Sequence, residues 1–279
     1  MRSEVEQPGP GEVRVRMHVA AAGSGRGAAG TPRHDGAGVV DAVGPDVDGL
    51  TAGDFVWVWN ASGTAREYLI LPRRNVVPLP PGVSFDVGAS LGVPALTAHR
   101  ALTAAAGEPT RLVPGALTGR VVLVAGAAGP AENATIQLAS WAGAHVVVAV
   151  SSPAEAESAR AAGADHVRLP PPPGGGVLPP AADRAGLPGS PDGAALPESA
   201  ESAPFPEPPD IVADLAAAAD MTPDQQDEAV ASVTAAAAAH RLRVGAEAGL
   251  PITRFPLAQV AAAYETAERH PTGKVLIDI

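Results

Sequence analysis

Apolar positions along this chain change their period as it proceeds. Between residues 11 and 108 they come in short runs, EVRVRMHVAAAG, GAGVVDAVG, GDFVWVW, AREYLILP and NVVPLP, separated by Gly, Pro and Asp. Alternation at period two with turn residues at each break predicts an all-β, barrel-like module. In FVWVW the side chains of Phe55, Trp57 and Trp59 fall on one face and those of Val56 and Val58 on the other. The aromatic face is read as barrel core rather than as a ligand platform. Over residues 94–106 the period turns helical, which predicts a helix bridging to a second unit.

That second unit has a different rhythm. Val121 to Ala125 is an unbroken apolar run, read as a buried parallel strand. Gly126 and Gly129 break it, and a helix with apolar positions at Ile136, Leu138 and Trp141 follows. A second strand, HVVVAV at 145–150, and a second helix, PAEAESARAAGA at 153–164, complete a βαβα unit in which a right-handed crossover is expected. Residues 169–209 are so rich in Pro and Gly that disorder is expected. Then DIVADLAAAAD, 210–220, reads as a strand entering a turn, and 222–240 as a helix with Thr222 as N-cap and Pro223 at the first position. RLRVG and ITRFP read as short strands, PLAQVAAAYETAERH as an amphipathic helix, and GKVLIDI as a terminal strand.

The strand-turn-helix at 121–139 has the layout of an anion site. Glycines let a phosphate approach the backbone, and the free N–H groups and positive end of the helix dipole bind it. The spacing Gly126-x-x-Gly129-x-x-Glu132, however, puts a carboxylate in the first helical turn, and Pro130 removes one donor. Glu132 near a helix N-terminus is favourable by roughly 0.3–1 kcal/mol with no ligand at all, and Pro130 suits a first turn. A purely structural junction therefore explains both residues, and both readings stay open here.

Composition narrows the function classes. With 279 residues, 46% of them hydrophobic, the chain can bury a substantial core, and two domains are expected. A net charge of −11 argues against nucleic acid, whose phosphates call for a basic face. No run of about 18 apolar residues predicts a membrane span, and the N-terminus has no apolar signal core, so a cytoplasmic location is expected. There is no cysteine, hence no disulfide, no thiol nucleophile and no thiolate-ligated zinc. His34 in His34-Asp35-Gly36-Ala37-Gly38 is read as a loop histidine, since one ligand does not make a zinc site.

Several long words, RHDGAGVVDAVGPDVDGLTAGDFVWVW, VPLPPGVSFDVGASLGVPALTAHRAL, AGADHV and FPLAQVAAAYETAERHPTGKVLIDI, stand in one order along the chain. In these words the chain resembles the zinc-independent quinone oxidoreductase (zeta-crystallin-like) branch of the medium-chain dehydrogenase/reductase superfamily, polyketide enoyl reductase domains included. The resemblance implies an α/β protein: a GroES-like β-barrel domain at 1–108, closed by 241–279, and a truncated Rossmann-like parallel sheet at 109–240. It implies NADPH in the cleft between them and hydride transfer to a quinone or an activated alkene (enone or enoyl), with a homodimer as a possible assembly. The cofactor-binding residues so implied are Gly126, Ala128, Gly129, Pro130 and Ala131 at the pyrophosphate, Ser151 and Ser152 at the ribose phosphate, and Thr97 near the nicotinamide. No metal and no catalytic residue is implied, GSGRGAAG standing where relatives often have Asn, Tyr and Arg. Pro130, Glu132, and Glu155 at the place of a cation, depart from the family pattern and weigh against cofactor binding. The alternative is a relative that keeps the fold without the cofactor or the activity.

Overall fold

The computed structural model describes residues 6–23, 34–104, 109–169, 209–215, 221–269 and 272–279. The expected disorder of 169–209 and the segment GSGRGAAG thus fall almost wholly outside the described residues.

The β-rich module is a seven-stranded sheet. Its strands are β1 (Glu12–Ala22), β2 (His34–Val43), β3 (Phe55–Ala61), β4 (Tyr68–Pro72), β5 (Val76–Pro78), β10 (Ile252–Pro256) and β11 (Lys274–Asp278). They run in the order β10-β11-β1-β2-β3-β5, with β4 also on β1. The long β1 serves three partners, pairing β2 along most of its length, β4 through its first half and β11 through Val19 to Ala22. Register shifts between Arg14 and Val15 and between Met17 and Val19 bend it between the latter two. Val13, Val15 and Met17 point inward with Val40, Val56, Val58, Leu69 and Leu71, forming the barrel core. On the other face Arg14 pairs with Asp41 at 2.5 Å.

The second sheet has four strands in the order β8-β7-β6-β9, all parallel. They are β6 (Val121–Ala125), β7 (His145–Ala149), β8 (His166–Arg168) and β9 (Ile211–Val212). Helices α3 (Pro130–Trp141) and α4 (Pro153–Ala162) make the crossovers, and α5 (Pro223–Ala238) follows β9. Thr222 caps α5 in a reciprocal capping box with Gln225. Between the sheets lie a short turn of helix, α1 (Phe85–Gly88), and α2 (Val93–Thr103), while α6 (Val260–Arg269) sits on the barrel beside β10 and β11. One continuous core runs from Trp57 and Trp59 through Ala95, Leu96 and Leu102 to Val122, Val124 and Ile136. Among the described residues no helix is long and apolar enough to cross a membrane.

Two sequence expectations need correction, and one strand was not foreseen. The two faces of β3 divide as predicted, but the valines, not the aromatics, enter the barrel. Trp57 and Trp59 point outward into the seam against α2, and Phe55 is 57% exposed, its ring 5.2 Å from that of Phe85. Period-two alternation identifies two faces without saying which is inside, and here helices cover the second. The segment RLRVG is not a strand; it leads into a 3-10 turn, Ala246–Ala248. Its backbone is bound instead by α3, where Gln137 accepts from the Arg243 N–H (2.9 Å) and donates to the Arg243 carbonyl (3.0 Å). Those are the groups that a ladder would have needed. The unforeseen strand is β8, three residues with two polar side chains, too short for a periodic signal.

Candidate functional site

At the carboxyl ends of β6 and β7 the chain makes the turn singled out from sequence. Gly126 has φ +86°, open only to glycine without strain, and its N–H donates to the Ala149 carbonyl at 2.7 Å. Ala128 gives its carbonyl to the N–H of Gly273, 2.8 Å away, so the loop before β11 rests on this turn. Gly129 is the N-cap of α3 without a side-chain cap, and Pro130 follows it. Glu132, half-buried, folds back over the turn: a Cβ added at Gly129 would collide with its Oε2, and one at Gly126 would stand 3.7 Å from its Cγ. The space into which a bound phosphate would come is thus partly filled by this carboxylate.

Beside the turn opens a cleft of about 510 Å³, lined by Gly126, Val150, Ser151, Glu155 and Arg168 among others. Ser152 caps α4, accepting from the Glu155 N–H at 3.3 Å. The Glu155 carboxylate accepts from both the N–H (2.7 Å) and the hydroxyl (3.1 Å) of Ser151. Both serines expected to meet a ribose phosphate are therefore bonded to Glu155. Of the predicted site residues, Gly126 and Ser151 line the cleft, and Ser152, Ala128, Gly129, Pro130 and Ala131 do not. Thr97, half-buried on α2, does not line it.

Two further features were not foreseen. Arg168, at the end of β8, brings a cation to the cleft; it stands directly after the AGADHV word, which was read only for its family likeness. Asp35 and Lys274, the chain's only lysine, are both buried, at 3% and 4% exposure. Burial pushes the Asp35 carboxyl up to about 6, while the Lys274 charge and a hydrogen bond from the Val93 N–H (2.9 Å) hold it down. Burial lowers the Lys274 ammonium, and Asp35 opposes that. Gly92 has to be glycine here, because a Cβ would overlap the Asp35 carboxylate. The side chain of His34 lies outside the described residues, and among those described no group of three His, Asp or Glu side chains is placed to hold a metal.

A mostly antiparallel, barrel-like sheet joined through helices to a parallel sheet, with a cleft at the carboxyl ends of the parallel strands, is the architecture of the medium-chain dehydrogenase/reductase fold. Residues 9–81 match the alcohol dehydrogenase GroES-like domain. In sequence the chain is similar to the zinc-independent, quinone oxidoreductase-like branch of the medium-chain dehydrogenases/reductases. It is 39% identical over 133 residues to the spectinabilin polyketide synthase system protein NorB of Streptomyces orinoci, covering 48% of this chain and 6% of that protein. It is 37% identical over 110 residues to the quinone oxidoreductase of Mus musculus, covering 39% of this chain and 31% of that enzyme. The chain thus matches under a third of these relatives' lengths. A mycobacterial protein solved in complex with NADPH shares the fold, with a TM-score of 0.64 at 22% identity over 100% of this chain and 94% of that one.

Proposed function

We propose that this chain is a nicotinamide-dependent oxidoreductase of the quinone oxidoreductase and enoyl reductase kind, acting on a small quinone or an activated alkene. The observation that carries the reading is the cleft where β6, β7 and β8 end, beside a glycine turn and the N-terminus of α3. The proposal takes residues 1–108 with 241–279 as the substrate domain and 109–240 as the cofactor domain. A dinucleotide fits at its adenosine end, where the cleft is open and its mainly apolar lining carries Ser151, Glu155 and Arg168. At the diphosphate it fits once Glu132 turns aside, and among the described residues no hydrogen bond holds that carboxylate in place. When bound, the cofactor supplies the hydride.

The chain's own part is orientation and dryness. Gly126 and Gly129 let the backbone come close, the first-turn N–H groups of α3 meet negative charge, and Ser151 and Ser152 flank the ribose. Thr97 on α2 is assigned to the nicotinamide end. The family resemblance implies NADPH; the charged groups in the cleft, Glu155 and Arg168, bear on that choice below. A second reading, a relative that has kept the fold without the cofactor, is favoured by Glu132 lying over the turn. Calorimetric titration of the chain with NADH and with NADPH at low salt separates the two. Saturable binding of either supports an oxidoreductase, and no binding of either at millimolar concentration gives the site to the second reading.

A further inference from the structure

We infer that Glu155 makes this cleft a reader of ribose hydroxyls, so that the chain takes NADH or NAD+ in preference to the 2′-phosphorylated dinucleotides. The inference rests on the cleft being the adenosine end of the site proposed above. In doubly wound sheets a carboxylate at the end of the second strand accepts hydrogen bonds from the ribose hydroxyls of NAD, whereas a 2′-phosphate calls for a cation there. From the end of β7 onward the sequence runs Val148-Ala149-Val150-Ser151-Ser152, with no acid. The fold supplies one from the next element.

Glu155 is the third residue of α4 after its N-cap Ser152, the place from which a glutamate ordinarily reaches back to the N-cap N–H. Here it reaches one residue further. Its Oε2 accepts from the Ser151 N–H at 2.7 Å and from the Ser151 hydroxyl at 3.1 Å. The carboxylate is therefore fixed at the tip of β7, inside the cleft that Gly126 and Ser151 line. A carboxylate only accepts hydrogen bonds, and ribose hydroxyls donate them. A 2′-phosphate brings more acceptors and about two negative charges to the same place, and so meets repulsion where a hydroxyl meets a partner.

The serines do not offset this. The Ser151 hydroxyl donates to Glu155, and the Ser152 hydroxyl accepts from the Glu155 N–H. Arg168 lines the same cleft, so the lining carries one cation beside one carboxylate, and Arg168 has an interaction of its own. Glu155 thus becomes a specificity-determining residue, with Arg168 as the opposing charge.

Binding decides the matter without turnover. The full chain is titrated with NADH and NADPH, and separately with adenosine and adenosine 2′-phosphate, which carry no diphosphate and so bypass Glu132. The expected result is at least tenfold tighter binding of NADH and of adenosine than of their 2′-phosphorylated counterparts. Glu155→Gln should shrink that ratio several-fold and Glu155→Lys should invert it, circular dichroism confirming that each variant is folded. Equal or tighter binding of NADPH and of adenosine 2′-phosphate by the unaltered chain overturns the inference and leaves the oxidoreductase reading standing. Binding of none of the four probes overturns both.

Discussion

Replacing Glu132 by glutamine should tighten dinucleotide binding by roughly one to two decades. The carboxylate folds over Gly126 and Gly129, where the diphosphate of a dinucleotide would lie against the N-terminus of α3. Two unit charges about 5 Å apart repel by roughly 0.8 kcal/mol at a dielectric constant of 80 and roughly 3 kcal/mol at 20. Each 1.4 kcal/mol or so is tenfold in the dissociation constant. Glutamine keeps the shape and removes the charge. It costs about 0.3–1 kcal/mol of favourable interaction with the helix dipole, visible as a small loss in thermal stability.

The assay is calorimetry or nicotinamide fluorescence with NADH, at about 10 mM and about 100 mM salt. Screening lengths of about 30 and 10 Å at these strengths mean that added salt should help the unaltered chain relative to the variant. Adenosine carries no diphosphate and should bind both proteins alike. Low-micromolar binding by the unaltered chain at low salt, or equal affinities for the two proteins, would refute the reasoning and mean that Glu132 turns away at no cost.

The pH profile of stability should carry two opposed contributions. Burial lowers the His99 imidazole to about 4 from 6.5. The unfolded chain therefore takes up this proton first, and stability falls as pH drops from about 6.5 to 4. Asp35 is raised to about 6 from 3.8, so the folded chain protonates first, and stability rises as pH drops from about 6 to 3.8. Each linkage amounts to roughly 3 kcal/mol at about 1.4 kcal/mol per pH unit. Asp35→Asn should expose the His99 decline in urea titrations between pH 4 and 6.5, and a slope parallel to that of the unaltered chain would count against the assignment. Gly92→Ala should destabilise by about 1–3 kcal/mol through its overlap with the Asp35 carboxylate, as read by denaturant midpoint. Thr222→Ala should cost about 1 kcal/mol by removing one half of the α5 capping box, a fall of roughly 2–4 °C in melting temperature.

The parts of the fold that could be read from sequence are those with strong local signals. The apolar runs of β6 and β7 fall where predicted, and Pro130, Pro153 and Pro223 mark the starts of α3, α4 and α5 as first-turn prolines should. What could not be read depends on distant partners. Nothing local says that Gln137 will take up the backbone of Arg243, or that the tryptophan face of β3 meets α2 rather than the barrel interior. Asp35 and Lys274 meet only because β2, α2 and β11 converge. At the candidate site the sequence identified Glu132 and Glu155 as departures from a pattern. It could not show that Glu155 accepts from Ser151, and it gave no reason to look at Arg168, which comes from a strand without a signal of its own.

The seam between the two sheets can be observed in solution with no label attached. The chain has three tryptophans: Trp57 and Trp59, at 0% and 4% exposure, lie in that seam, and Trp141 packs against the same cluster at the end of α3. Intrinsic emission is therefore weighted toward one internal surface, the layer through which barrel and parallel sheet touch. A motion that separates the sheets would hydrate these indoles and shift their emission to the red while the backbone signal of both sheets stayed intact. Unfolding of the barrel alone or of the parallel sheet alone would change both signals together. The protein thus carries an optical gauge of its own closure, set where the two sheets share one core.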